Sequence, residues 1–231
     1  MQRMSKVELI GITKPSAITD CNTANELVAW CARVSNPSNQ NNTQTAGKLV
    51  KYLINNKHFS PLEMVHVVMN ISTTRDIARQ ILRHRSFSFQ EYSQRYADPT
   101  KDLGFVTRDA RLQDPKNRQN SVETEDSKLR EEWNMRQRKS MAEAIISYRW
   151  AIENGIAKEI ARSVLPEGNT ESIMIMAGSL RSFVHYIEVR HHPATQKEHR
   201  IVAEQISDII MHHFPDIKEY LETVIANNYN V

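Results

Sequence analysis

The stretch RHRSFSFQEYSQR, residues 83–95, decides which fold and which chemistry we expect of this chain of 231 residues. Three arginines and a histidine lie within it, and burying such groups without partners would cost too much free energy. We therefore expect an anion to bind beside this stretch. Its first part closes a predicted helix over 74–85, and its second part favours an extended path over 87–96.

The predicted helix over 74–85 has an apolar face and a cationic face. Ile77 and Ile81 are four residues apart and mark the face that we expect to be buried. The cationic face carries arginines at the same spacing: Arg75, Arg79 and Arg83. Like charges at this spacing repel one another by about 0.2–0.5 kcal/mol per pair, which favours a bound counter-anion. The attraction of cations to a helix C-terminus is a plainer explanation for the last arginines of the helix.

The predicted extended path over 87–96 places Glu91, Ser93 and Arg95 on one side, because side chains alternate along a strand. A carboxylate, a hydroxyl and a guanidinium that project together can bind a phosphate and a sugar hydroxyl. Arginine suits phosphate better than lysine does, because its planar fork donates two parallel hydrogen bonds. The alternative is a solvated edge strand on which Glu91 and Arg95 pair with each other.

The rest of the chain predicts a mixture of helices and short strands. Apolar, β-branched runs indicate strands over 7–13, 65–71 and 172–177, and helical periodicity indicates helices over 24–34, 49–56, 129–152, 157–165, 180–189, 194–212 and 217–226. The fold class is therefore α+β, with helices in the majority. We find no linker and predict a single domain over 1–231, with a polar insertion or lid at about 100–127.

Composition narrows the class of protein. A hydrophobic fraction of 40% and a charged fraction of 25% are those of a globular protein. The net charge of +3 is too small to demand nucleic acid, and no apolar run of about eighteen residues is present to span a membrane. Cys21 and Cys31 have neither metal-ligand nor redox spacing, which favours a reduced, cytoplasmic setting. The histidines also lack metal-ligand spacing, so we expect no metal site.

Residues 83–95 fix five positions, Arg-His-Arg and then Ser-x-Arg, that resemble the signature of the flavin-dependent thymidylate synthases. Further segments are similar to that family's other motifs, in the family's order: Ala32–Ser35 (ARVS), His58–Glu63 (HFSPLE), Ala161–Pro166 (ARSVLP) and Leu180–Arg190. Together they cover most of the chain. The resemblance implies the family's fold, a small antiparallel sheet packed with several helices.

The resemblance implies an enzyme, a methyltransferase that converts dUMP to dTMP. Methylenetetrahydrofolate would supply the carbon, and FAD reduced by NADPH would supply the hydride. No nucleophile of the enzyme would be needed, and we interpret Cys21 and Cys31 as packing residues. The resemblance further implies a homotetramer whose active sites lie between subunits.

The resemblance also implies roles for particular residues. Those expected to bind FAD are His58, Ser60, Arg83, His84, Arg85 and Glu91, with Ser179, Leu180, Arg181 and His185 of another subunit at the adenine end. Those expected to bind dUMP are Gln80, Ile81, Leu82, Arg83, Glu91, Tyr92, Ser93, Gln94, Arg95 and Arg162. Arg190 would lie against the uracil ring as the catalytic residue. A fixed guanidinium there would stabilise negative charge on the ring by about 3–4 kcal/mol, as an oxyanion hole does.

Two other functions stay open at this point. A basic nucleic-acid-binding protein could use residues 75–95 on backbone phosphates, although the aromatic residues do not interleave with the basic ones as in single-strand binders. A flavoprotein of the same fold could also have lost the synthase activity. The colour of the purified protein would test the first alternative, and tritium release from labelled dUMP would test the second.

Overall fold

The computed structural model of the protein describes residues 5–229. Within them the strands are β1 (Lys6–Ile12), β2 (His66–Thr74), β3 (Phe87–Glu91), β4 (Arg111–Gln113), β5 (Ser121–Glu123) and β6 (Glu171–Ser179). The helices are α1 (Ala24–Ala32), α2 (Ala46–Asn55), α3 (Arg75–Ile81), α4 (Pro99–Asp102), α5 (Ser127–Glu153), α6 (Lys158–Ala161), α7 (Leu180–Arg190), α8 (Lys197–His213) and α9 (Lys218–Asn228). Single turns of 3₁₀ helix join several of them.

Four of the strands form one sheet in the order β1-β2-β6-β3, and β4 and β5 form a separate antiparallel hairpin. In the hairpin, Leu112 lies opposite Val122. The predicted α+β class, with small sheets and a majority of helices, is confirmed. Within residues 5–229, no helix combines the length and the apolar character that crossing a membrane requires.

The described chain divides into two compact units, each assembled from separate stretches. The first contains Ser5, Ser72–Arg83 and Gln90–Met174, and the second contains Lys6–Ile71, His84–Phe89 and the chain from Ile175 onward. The stretch over 83–95 therefore supplies residues to both units. The single domain over 1–231 stays a prediction.

The core of the first unit lies against the long helix α5. Its central cluster joins residues of α5 to residues that follow it: Tyr148, Ala151, Ala161 and Leu165. The helix begins after Asp126, whose side chain accepts a hydrogen bond from Leu129 N and so satisfies one of the free N–H groups of the first turn. The polar insertion at about 100–127 contains the end of α4 and the β4–β5 hairpin, so it has secondary structure of its own.

The core of the second unit is built around α7 and α8. Buried residues recur along α8 every three or four positions and give the helix one apolar face: Val202, Ala203, Ile206 and Ile210. The first helix of this unit, α1, begins with a capping box, in which Thr23 and Glu26 satisfy each other's backbone N–H groups. Ser179 caps α7, since its hydroxyl accepts from Ser182 N at 3.2 Å.

Gly178 in β6 marks a close approach to the neighbouring strand β3 within the second unit. An ideal Cβ at this position would lie 2.4 Å from Cδ1 of Phe87. That distance is far inside van der Waals contact, so the ring of Phe87 fills the space that a side chain would need. Packing, and not a left-handed backbone, requires the glycine here.

The helix predicted over 74–85 is confirmed as α3, but its predicted C-terminal end is wrong. The helix stops at Ile81 with Leu82 as its C-cap, and the side chains of Arg83 and Arg85 lie beyond it. The cationic face of α3 therefore consists of Arg75 and Arg79 alone, and Arg83 directly follows the C-cap.

The extended path predicted over 87–96 is also too long, because β3 ends at Glu91. The chain then turns: Tyr96 N donates to Ser93 O at 3.1 Å, and Arg95 N donates to Ser93 Oγ at 3.4 Å. The alternation that placed Glu91, Ser93 and Arg95 on one side is therefore wrong. The alternative, a pair between Glu91 and Arg95, is wrong as well, because each pairs with another residue.

The remaining predicted helices and strands are confirmed, with ends displaced by a few residues. The helix predicted over 157–165 is the exception. It is the short α6 (Lys158–Ala161), followed by one turn of 3₁₀ helix over Arg162–Val164.

Candidate active site

The first unit holds a network of two arginines and two glutamates. Arg75 Nη1 lies 3.6 Å from Glu91 Oε1, and Arg75 Nε lies 3.1 Å from Glu167 Oε1. Arg79 Nη1 lies 3.1 Å from Glu91 Oε2, and its Nε lies 3.5 Å from Glu167 Oε2. The side chain of Arg75 is 6% exposed, so its charge depends on these carboxylates. The repulsion expected between Arg75 and Arg79 is thus offset by the carboxylates of Glu91 and Glu167.

Glu91, which we expected to contact both FAD and dUMP, is held from three sides. Besides the two arginines of α3, the hydroxyl of Ser172 donates to Glu91 Oε1 at 2.9 Å. Both carboxylate oxygens therefore accept from protein donors, which fixes the orientation of the side chain. A ligand that approaches Glu91 meets a carboxylate whose charge is already largely neutralised.

The structure brings Arg95 and Arg162, both predicted to bind dUMP, to the same residue. Arg95 Nε lies 3.4 Å from Glu159 Oε2, and Arg162 Nε donates to the backbone oxygen of Glu159 at 3.4 Å. The side chains of Arg95 and Glu159 are 60% and 52% exposed, so this ion pair is weak. Arg83, in the same unit, is exposed, and its side chain makes no ion pair or hydrogen bond within residues 5–229. These guanidinium groups can bind a phosphate while losing only weak existing interactions.

The other predicted dUMP residues of this unit differ in what they can offer. Tyr92 donates its hydroxyl to Asp102 at 2.9 Å, and burial together with that carboxylate raises the pKa of the phenol. Gln94 is 3% exposed, and its Nε2 has no hydrogen-bond partner among the described residues. Ile81 is fully buried, so it offers no exposed surface to a nucleotide. Gln80 and Leu82 are partly buried.

In the second unit, the guanidinium of Arg190 meets the imidazole of His84. Arg190 Nε donates to His84 Nε2 at 2.7 Å. Because the guanidinium is always protonated, His84 Nε2 must be the accepting nitrogen of a neutral ring. The two terminal nitrogens of Arg190 make no hydrogen bond within residues 5–229, so one edge of the guanidinium stays available for a ligand.

Two buried rings lie behind His84. The rings of His84 and Tyr186 meet edge to face with their centroids 4.9 Å apart, and the hydroxyl of Tyr186 is hydrogen-bonded to His199 Nε2 at 2.9 Å. Tyr186 and His199 are both fully buried. Burial, helped by the charge of Arg190, lowers the pKa of His199 to about 3, so this ring is neutral near pH 7. The side chains that lie behind His84 and Arg190 are therefore buried and uncharged.

A cavity of about 350 Å³ in the second unit contains two of the residues expected at the adenine end of FAD, Arg181 and His185. Arg181 Nη1 lies 3.0 Å from Glu63 Oε1, and its guanidinium lies 6.0 Å from the centroid of Phe59. The cavity is within the size range of small-ligand pockets. An aromatic face, a cation and carboxylates that accept from ribose hydroxyls fit one part of a flavin dinucleotide.

The other predicted FAD residues of the second unit do not line this cavity. Ser179 is 5% exposed and donates to Glu63 Oε2 at 2.6 Å, and Leu180 is fully buried. His58, Ser60 and Arg85 are exposed. The side chain of Arg85 makes no ion pair within the described chain, so its charge is available to a diphosphate.

Several residues that shape these arrangements were not among the predicted site residues. They are Glu63, Glu159, Glu167, Tyr186 and His199. Glu63 and Tyr186 could have been found, because they lie in two segments that carry the family resemblance, HFSPLE and Leu180–Arg190. Nothing in the sequence pattern marks the other three as neighbours of the predicted residues.

Neither cysteine has the surroundings of a reactive thiol. Burial raises the pKa of both Cys21 and Cys31, so neither is a thiolate near pH 7. Cys21 Sγ donates to Thr19 O at 3.4 Å. Among residues 5–229, no group of three or more His, Cys, Asp or Glu side chains could hold a metal ion.

Comparison with known proteins agrees with this geometry. The family described as "Thymidylate synthase complementing protein" matches residues 17–216. A probable flavin-dependent thymidylate synthase of Paramecium bursaria Chlorella virus 1 is 44% identical over 94% of this chain and 99% of its own length. A flavin-dependent thymidylate synthase of Synechocystis sp. is also 44% identical, over 94% and 99% of the two chains. These matches define an enzyme of the methyltransferase type.

More particularly, the chain belongs to the flavin-dependent thymidylate synthase family. The fold agrees with that assignment. A UMP/dUMP methylase, PolB from Streptomyces cacaoi, solved with 5-Br dUMP, has a TM-score of 0.77 over 95% of both chains, at 24% sequence identity. The same protein solved with 5-Br UMP has a TM-score of 0.75.

Proposed function

We propose that this enzyme converts dUMP to dTMP, with methylenetetrahydrofolate as the carbon donor, FAD as the hydride carrier and NADPH as the reductant of FAD. The names of the relatives support the reaction and the flavin. The observation that carries the proposal in this chain is the contact of Arg190 with His84. It joins a guanidinium with an available edge to the central histidine of the Arg-His-Arg motif.

Arg190 is the residue that we propose to act on the uracil ring. Adding a carbon at C5 of uracil builds up negative charge on the ring and its carbonyl oxygens. A guanidinium fixed at the carbonyl edge stabilises that charge by about 3–4 kcal/mol, because it is oriented before the reaction begins. The terminal nitrogens of Arg190 supply two parallel donors for such an edge.

His84, Tyr186 and His199 act as positioning residues for Arg190. The neutral His84 ring accepts from Nε of Arg190, which fixes the plane of the guanidinium without neutralising its charge. Tyr186 packs against that ring, and the hydrogen bond to His199 holds Tyr186 in turn. Since the three rings are uncharged and two are fully buried, the positive charge of Arg190 stays directed at the substrate.

The phosphate of dUMP is proposed to bind Arg95 and Arg162, with Arg83 as a further ligand. The contacts that now hold Arg95 and Arg162 to Glu159 are long and solvent-exposed. A phosphate offers three acceptor oxygens and more charge than the single carboxylate, so it displaces these contacts readily.

FAD would supply hydride chemistry that no side chain of this protein can perform. Arg181, His185 and Phe59 are the residues proposed to hold its adenine end, with Arg85 at the diphosphate. The homotetramer, in which another subunit contributes the adenine end, and the cytoplasmic location stay predictions.

No residue of the enzyme is proposed as a nucleophile. The raised pKa values of Cys21 and Cys31 leave both as thiols near pH 7. Ser93 Oγ accepts from Arg95 N in a turn, and among residues 5–229 no histidine is hydrogen-bonded to it that could take its proton.

The visible spectrum of the purified protein tests the proposal. We expect oxidised-flavin absorbance that bleaches when NADPH is added without oxygen, and tritium release from labelled dUMP once the folate is supplied. A protein that stays colourless in excess FAD would contradict the proposal, and steep salt dependence of nucleic-acid binding would then favour a nucleic-acid-binding protein. A yellow protein without tritium release would instead be a flavoprotein that has lost the synthase activity.

A further inference from the structure

A pocket in the second unit lies outside every residue assigned to the candidate active site. It is formed by residues 32–49, between the end of α1 and the start of α2, and has a volume of about 470 Å³. Most of its lining side chains are polar or basic: Arg33, Ser35, Asn36, Asn39, Thr45 and Lys48. Among the described residues that line it there is no Asp or Glu.

Arg33 is a buried cation whose partners in the pocket wall are neutral. Its residue is 7% exposed. Nη1 donates to the backbone oxygen of Asn42, and Nη2 donates to Thr45 Oγ1 at 2.8 Å. Within residues 5–229 no carboxylate forms an ion pair with Arg33. Burying a guanidinium without an anionic partner is costly, and the guanidinium has more N–H donors than these two bonds use.

One further feature adds positive potential to the same pocket. Lys48 is exposed and forms no ion pair within the described chain. The first turn of α2 also borders the pocket, but its helix dipole already faces a carboxylate of the protein, because an ideal Cβ at Gly47 would lie 2.6 Å from both carboxylate oxygens of Asp216. The two cations, Arg33 and Lys48, are therefore what favours an anion in the pocket.

We propose that this pocket binds the phosphate group of a small molecule, with Arg33 and Lys48 as its cationic ligands. A phosphate offers several acceptor oxygens in different directions, which suits a guanidinium, an ammonium and hydroxyls that surround one space. The hydroxyls of Ser35 and Thr45 supply neutral donors beside the two cations. This site is independent of the reaction proposed above, because it shares no residue with it.

The test is a calorimetric titration of the protein with pyrophosphate at constant ionic strength. FAD and dUMP are bound before the titration and the unbound excess is removed by gel filtration, so that the phosphate sites of the candidate active site are occupied and no free phosphate compound competes for the pocket. We expect one pyrophosphate per chain, and we expect Lys48→Ala to weaken its affinity roughly tenfold. The matched control is Lys51→Ala, an exposed lysine one turn further along α2 that does not line the pocket.

Lys51→Ala should keep the wild-type affinity. The proposal is overturned if the wild type binds no pyrophosphate, if Lys48→Ala binds as the wild type does, or if Lys51→Ala loses as much affinity.

Two further measurements sharpen the assignment to phosphate. Arg33→Gln removes the charge but keeps a donor for Asn42 O, and it should lose pyrophosphate binding while its circular dichroism spectrum stays that of the wild type. If Arg33→Gln does not fold, the comparison of Lys48→Ala with the wild type decides the outcome. Citrate, a polyanion without phosphorus, should bind roughly tenfold more weakly, and equal affinity for citrate would overturn the choice of phosphate.

Discussion

The arginines of α3 and the arginine at the end of α7 are held in opposite ways. Arg75 and Arg79 each contact two carboxylates, so their charge is neutralised inside the protein. Arg190 contacts the neutral acceptor His84, and its terminal nitrogens make no hydrogen bond within residues 5–229. An arginine that is paired with carboxylates stabilises the fold, whereas one that is oriented by a neutral acceptor keeps its charge for a ligand. The partner, and not the arginine itself, separates the two roles.

Replacing Arg190 should have the largest effect. We expect Arg190→Ala to lower turnover by about a hundredfold or more while FAD remains bound, because the charge that stabilises the transition state is lost. Arg190→Lys should recover little activity, since an ammonium lacks the planar fork that both His84 and a carbonyl edge require. Turnover and bound-flavin absorbance are measured on the same preparation, and near-normal turnover in Arg190→Ala would remove this residue from the mechanism.

Replacing Arg75 should affect stability and not the ligand. We expect Arg75→Met to lower the free energy of unfolding by about 3 kcal/mol, because it leaves Glu91 largely buried without its buried partner. Arg79→Met is the matched control in the same network, and its side chain is 47% exposed, so we expect a loss below about 1 kcal/mol. Urea unfolding measures both. Equal losses would mean that burial does not distinguish the two pairs.

The neutral support behind Arg190 should show in the pH dependence of stability. The pKa of His199 is lowered from 6.5 to about 3, so the unfolded chain binds a proton across this range that the folded protein does not. The free energy of unfolding should therefore fall as the pH falls below about 6.5, by up to about 1.4 kcal/mol per unit from this residue.

His199→Gln provides the comparison, because glutamine can bond to Tyr186 but does not titrate. Between pH 6.5 and about 5, the variant should lose less stability than the wild type. Curves of equal slope would show that His199 is protonated in the folded protein at the same pH as in the unfolded chain.

Replacing Arg95 should have the smallest effect of the four. We expect Arg95→Ala to weaken dUMP binding roughly tenfold, the cost of one charged hydrogen-bonding partner, and FAD binding less than twofold. Removing its exposed pair with Glu159 should not change stability. Arg149→Ala, an exposed arginine on α5, serves as the control. Equal losses of dUMP and FAD affinity would contradict the role proposed for Arg95.

The sequence predicted the elements of the fold better than their ends. Helical periodicity and β-branched runs reflect which side chains are buried, and this pattern is visible in the sequence. Nearly all of the helices and strands predicted from it are confirmed. The end of α3 has no such signal in the sequence, because no glycine or proline directly follows Ile81. The helix ends where the chain continues towards β3. The turn after Glu91 carried a local signal that was missed, a serine that accepts from the backbone two residues on.

The sequence named candidate members of the site, which stay predictions, but not the carboxylates that pair with its arginines. The motifs named His84 and Arg190, and Arg95 and Arg162, and the structure brings each pair together. The carboxylates that neutralise Arg75 come from residues 91 and 167, and spacing along one helix cannot reveal partners so far away in the chain. For the same reason, the equal spacing of Arg75, Arg79 and Arg83 did not show that, of these three, Arg83 has no carboxylate partner in the described part of the chain.

The contact between Gly178 and Phe87 limits how this protein can be altered. Phe87 lies three residues after His84, so a methyl group introduced at position 178 would push an aromatic ring along the same segment that carries the imidazole. We therefore expect laboratory evolution for a new substrate to conserve this contact between β6 and β3, even though no ligand is expected to reach it. Substitutions of Gly178 would be selected against because they displace the ring of Phe87, although neither residue is expected to bind a ligand.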